Sequence, residues 1–128
     1  MQQSNLDPAL DRIREYFAAF QRGDSDAYAQ QWVYPACFLA GGRWSTLPTP
    51  EACRESNERY HREAREQGML GGRILELAAR AEGPDAAWVE GRFSREGAAG
   101  RVIAETRAAY LVVRTDEGWR VAVCVLKE

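Results

Sequence analysis

The chain has 128 residues, of which 45% are hydrophobic and 28% charged, and its formal net charge is -2. A length of this order predicts one domain, residues 1–128, that buries a core without staples; the composition excludes a disordered chain, and the slight acidity excludes the electrostatic footprint of a nucleic-acid binder. No apolar run is long enough for a membrane span and the polar start MQQSNLD lacks a secretory pattern, so the expected setting is the cytoplasm, with no membrane partner.

Asp7 as cap and Pro8 at the first helical position open a first helix. Leu6, Leu10, Ile13, Phe17 and Phe20 recur along it at helical spacing, with Tyr16 at the edge of the stripe and Gly23 as the stop. Asp24 or Ser25 caps a shorter second helix through Gln31-Trp32, ended by Pro35, which pushes Tyr34 out of helical conformation. Ala36 to Ala40, the Gly41-Gly42 turn and Arg43 to Thr46 read as a β-hairpin. Thr49-Pro50 starts a third helix that runs to about Gln67, with a narrow inward face of Cys53, Asn57 (or Ser56), Tyr60, His61 and Ala64. Four strands follow at hairpin-like spacing, Arg73 to Ala81, Ala86 to Ser94, Val102 to Arg114 and Trp119 to Leu126, and predict an antiparallel meander.

The last strand is apolar on both faces, Val121, Val123 and Val125 against Ala122, Cys124 and Leu126. A strand buried on both faces needs two covers, and helices supply only one. The expected second cover is another copy of the chain: a two-fold homodimer packed sheet against sheet. Cys37, Cys53 and Cys124 are odd in number and form no CxxC pair, which predicts reduced, mostly buried thiols rather than a disulfide framework or a metal site; no cofactor is expected.

Glu15-Tyr16-Phe17-Ala18-Ala19-Phe20-Gln21-Arg22-Gly23-Asp24, and Trp32-Val33-Tyr34-Pro35 leading into Gly41-Gly42, resemble segments of the nuclear transport factor 2-like superfamily, with its ketosteroid isomerase and polyketide cyclase-like (SnoaL-like) members. The resemblance covers about Leu6 to Leu126 and implies a cystatin-like α+β cone: a curved antiparallel sheet packed on three N-terminal helices around a pocket. It matches small members without assigned activity, and the fold alone selects no function.

Aligned on that resemblance, Tyr16 falls on the isomerases' oxyanion tyrosine, but their base position falls on Ala40 and their second oxyanion carboxyl near Tyr110. Proton abstraction needs a base within reach, so the isomerase acid-base pair is absent. The Asp–Arg–Asp set of limonene epoxide hydrolases is not matched either, since every aspartate sits at a helix start or turn. Glu105 shares its register with Arg101 and Arg107 and is expected to face outward or into the dimer seam with an arginine partner.

These residues predict a pocket of Tyr16, Trp32, Tyr34, Trp44, Asn57, His61 and Tyr110, taking a small apolar ligand whose oxygen accepts from Tyr16 and Tyr110. The leading expectation is a dimeric small-molecule-binding domain rather than an enzyme. The first alternative is a lyase or isomerase of dehydratase or cyclase type, with His61, the only histidine, and Tyr34 as its acid-base candidates, as scytalone dehydratase of this fold works with His and Tyr groups. The second is a structural dimerisation module.

Overall fold

The computed structural model describes residues 5–127; Glu128 and residues 1–4, the start of the polar MQQSNLD segment, lie outside it. Helix α1 spans Asp7–Arg22 with Pro8 in its first turn. Its cap position is Leu6 rather than Asp7, which is already helical and whose backbone N–H bonds to Asn5 Oδ1 at 3.0 Å. There the Asp7 carboxylate faces the positive end of the helix dipole. Gly23 closes the helix at φ +69°, and the Asp24 carboxylate accepts from the Ala27 N–H at 3.0 Å to start α2, Ser25–Gln30.

Helix α2 ends sooner than the sequence predicts. Trp32 already opens strand β1, Trp32–Ala40, and Pro35 lies inside that strand after a cis Tyr34–Pro35 peptide. Pro35 falls within a shift of register between Trp32 and Cys37, where the ladder asks no N–H of it. Gly41 and Gly42, both at positive φ, turn β1 into β2, Arg43–Leu47. Thr49 Oγ1 then accepts from the Ala52 N–H at 3.1 Å and Pro50 opens α3, Pro50–Glu66. Cys53 and Asn57 are the buried residues of α3, with Tyr60, His61 and Ala64 half-buried beside them, as its predicted inward face requires.

Strands β3 (Gly71–Ala81), β4 (Ala86–Glu96), β5 (Val102–Thr115) and β6 (Gly118–Leu126) form the expected antiparallel meander, with a 3-10 turn at Ala98–Gly100 before β5. The sheet order is β2-β1-β6-β5-β4-β3, and β1 pairs with β6 in parallel. The six-stranded sheet is therefore mixed, not wholly antiparallel. β1 reaches β6 through the long connection over α3 and the meander, which permits a parallel pair where a hairpin would not.

A β-bulge changes the reading of the last strand. Leu111 pairs with Val123 but Val112 pairs with Val121, so Ala122 is the extra residue. Past it the side-chain alternation inverts, and Val121 and Cys124 are both buried under the helices. Val123 and Val125 turn to the opposite face, beside Cys37 and Leu39 of β1 and Leu111 and Ala109 of β5. Both faces of the strand are apolar, but the membership of each differs from simple alternation.

The core joins Ile13, Val89, Val112, Val121 and Cys53, all fully buried. α1 buries Ala9, Ile13, Tyr16 and Ala19, while Leu6, Leu10, Phe17 and Phe20 are only partly covered. The small alanines let the helix settle on the sheet along the Tyr16 side, so Tyr16 is central to the buried stripe rather than at its edge. No helix of the described residues is long and apolar enough to cross a membrane.

Candidate functional site

A cavity of about 240 Å³ lies between α1, α3 and the inner face of β4, β5 and β6. Side-chain alternation selects its sheet wall. Val89 of β4 pairs with Tyr110 of β5, and two residues further along each strand come Gly91, Phe93 and Arg95 against Ala108, Thr106 and Ala104. Gly91 has no side chain to fill the space that the Phe93 ring occupies.

Three phenols form the floor. Tyr16 Oη lies 3.4 Å from Tyr28 Oη, and the Tyr16 ring meets those of Tyr110 and Trp32 edge-on, at centroid distances of 5.2 and 5.8 Å. Burial raises the pKa of Tyr16, Tyr28 and Tyr110 above the ordinary phenol value. All three are thus neutral at physiological pH and able to donate. Phe17, Phe20, Phe38 and Phe93 supply apolar wall, the rings of Phe17 and Phe93 stacking at 5.1 Å.

Helix α3 contributes Asn57 and His61. Asn57 Nδ2 donates to Ser25 Oγ at 2.9 Å, so this amide also ties α3 to α2. The His61 ring lies 4.7 Å from that of Phe20, and its Nε2 is buried without a partner. Burial, and then the nearby Arg65 cation, hold its pKa below the usual imidazole value, while a hydrogen bond to the Phe20 backbone pulls the other way. His61 is accordingly neutral near pH 7.

Arg95 closes the sheet wall. Its Nε donates to Thr106 Oγ1 at 2.6 Å, its Nη1 to Met69 Sδ at 3.7 Å, and its Cζ stands 5.4 Å from the centre of the Tyr60 ring. No Asp or Glu is among the described lining residues.

Of the residues singled out from sequence, Tyr16, Asn57, His61 and Tyr110 line this one cavity. Trp32 is buried behind it, edge-on to Tyr16 and 4.8 Å from the Phe38 ring. Tyr34 is not at the cavity: its hydroxyl donates to the Ala29 carbonyl, so the structure does not assemble a His61–Tyr34 pair. Trp44 is 60% exposed and pairs with Leu39, which puts it on the opposite face of the sheet. Ala40 ends β1 between Arg43 and Leu126, with no carboxylate among its sheet partners. Glu105 pairs with Arg92 and Glu90 with Lys127, both away from the cavity, in keeping with the outward direction expected of Glu105. Cys53 and Cys124 are buried and Cys37 half-buried, and all three are free. Among the described residues no cluster of His, Cys, Asp and Glu is arranged to hold a metal ion.

Tyr28, Thr106 and Arg95 escaped the sequence reading. For Arg95 the signal was present: Val89 and Phe93 point inward, and extending their alternation by one step reaches it.

Solved structures share this architecture at low identity. An NTF2-like protein with a cystatin-like fold from Novosphingobium aromaticivorans is similar with a TM-score of 0.73 and 19% identity, over 91% of this chain and 76% of its own. An NTF-2 like protein of unknown function from Shewanella oneidensis MR-1 has a TM-score of 0.71 and 18% identity, over 94% of this chain and 96% of its own. A protein of unknown function with a cystatin-like fold from Nostoc punctiforme has a TM-score of 0.74 and 10% identity, over 98% of this chain and 93% of its own. Identities this low establish the fold alone. No curated protein matches the sequence. The model of the family described as NTF2-like protein (DUF6841) matches residues 7–128, nearly the whole chain, and the chain belongs to that family.

Proposed function

We propose that the domain binds a small, largely apolar molecule in this cavity and works as a homodimer. The observation that carries the reading is the chemistry of the lining: four phenylalanines and four tyrosines converge on a hollow that no carboxylate of the described residues enters. An apolar cavity with a few placed donors suits capture of a ligand oxygen, while the described lining residues offer no Asp or Glu as the carboxylate base that ketosteroid isomerase chemistry requires. At about 240 Å³ the space suits a molecule of one or two rings. The three free thiols fit a reducing compartment such as the cytoplasm.

The dimer reading rests on the outer face of the sheet, where Leu39, Leu111, Val123 and Val125 lie together with Trp44 at the edge. An apolar patch of this kind on a sheet calls for a partner surface, and a second copy supplies one with matching twist.

Titration with 2-naphthol, followed by its fluorescence, tests the binding. Saturable binding is expected, weakened about tenfold in Tyr16→Phe or Tyr110→Phe through the lost hydrogen bond. Absence of saturable binding, or unchanged affinity in both variants, would count against the reading. A second reading, an acid-base enzyme, is favoured by one observation, the unpartnered Nε2 of His61 at the cavity wall. Turnover of a bound compound that vanishes in His61→Ala at unchanged melting temperature would select the enzyme.

A further inference from the structure

The charge balance of the cavity is opposite to that of the chain. Nineteen Asp and Glu outnumber seventeen Lys and Arg overall, yet the ionisable cations at the cavity, Arg65 and Arg95, face no acidic residue in its lining. Among the described residues neither Arg65 nor Arg95 has an ion-pair partner; exposed arginines such as Arg59, Arg62 and Arg101 also lack one, but water solvates them. Arg95 is the half-buried one. Its Nε and Nη1 are engaged by a hydroxyl and a thioether, both neutral, and Nη2 has no protein acceptor among the described residues.

A guanidinium stays protonated at any physiological pH, so this part of the wall carries a fixed positive charge that the protein does not neutralise. Removing a charge from water without a counter-ion is costly, and an anion entering the cavity relieves that cost. The rest of the lining limits which anion fits. The phenols are neutral donors and the walls are aromatic, so the site offers one half-buried positive charge in apolar surroundings, with a second only at the exposed Arg65. A monoanion on a flat hydrophobic body matches this better than a dianionic phosphate, which would bring more charge than the interior can balance.

Resting on the binding reading above, we infer that the ligand is an aromatic carboxylic acid, bound with its carboxylate on Arg95 and its ring among Phe17, Phe20 and Phe93. Thr106 is then a positioning residue: its hydroxyl holds Nε and leaves the Nη2 edge of the guanidinium for the acid.

The test compares 2-naphthoate with its neutral isostere 2-naphthamide by calorimetry, on wild type and on Arg95→Gln. Wild type is expected to prefer the acid by about tenfold or more. That preference should shrink as salt is raised, because the interaction is between charges. In Arg95→Gln the acid should weaken to the level of the amide, losing at least about tenfold more affinity than the amide loses. Equal affinity of acid and amide in wild type overturns the inference without use of any variant, and leaves the apolar cavity reading standing if the amide or 2-naphthol binds. A preference for the acid that survives in Arg95→Gln overturns it as well. Failure of naphthoate, naphthamide and naphthol alike overturns both readings.

Discussion

His61 shows how one residue's surroundings set a property of the whole protein. Its folded pKa lies below the ordinary 6.5 because burial and Arg65 both disfavour the charged ring. The unfolded chain keeps the ordinary value, so below about pH 6.5 it binds a proton that the native ring refuses. Native stability therefore falls as pH drops below that point, and is unaffected by this residue above it. Melting temperatures between about pH 7 and pH 5 should decline for wild type and more gently for His61→Gln, whose amide does not titrate. Identical slopes would show that the ring is not desolvated in solution. The same scale marks what could be read in advance. Asn57, His61 and Tyr110 were legible because helix and strand periodicity fixed their direction, whereas Tyr16, which periodicity left at the edge of its stripe, was marked by the family resemblance. Trp44 was misplaced because a five-residue edge strand with every residue but Leu47 exposed carries no alternation to fix its inner face.

Among the elements, those that announce themselves locally were the ones legible in sequence. Gly23, Asp24, Thr49-Pro50 and Gly41-Gly42 act on backbone groups a few residues away, and each performs its expected stop, cap or turn. Features that depend on partners distant in sequence were not legible. The Ala122 bulge and the parallel pairing of β1 with β6 arise from how strands meet, and no residue within either strand encodes them alone. Gly72 belongs to this class. It lies in β3 opposite Arg95, and an added Cβ would run into the Ser94 carbonyl oxygen of β4. Backbone cannot yield as a flexible side chain can, so Gly72→Ala is expected to cost about 1–3 kcal/mol in urea unfolding. A variant as stable as wild type would show that β3 and β4 stand further apart than they do here.

For the whole molecule, the sheet has one face under the helices and one that no other described element covers. Leu111→Asp with Val123→Asp places two charges among half-buried apolar neighbours on that second face. Light scattering at micromolar concentration is expected to report a dimer for wild type and a monomer for the double variant, with the far-ultraviolet spectrum retained in both. A monomeric wild type would contradict the proposed assembly. The parallel seam also has a consequence for biosynthesis. β6 lies between β1 and β5 and is translated after all the other described elements, so the ribosome has released the first hairpin long before its neighbour in the sheet exists. Until that strand emerges, the edge of β1 opposite β2 lacks its partner among the described elements, and the nascent chain holds an open half-shell that β6 zips shut.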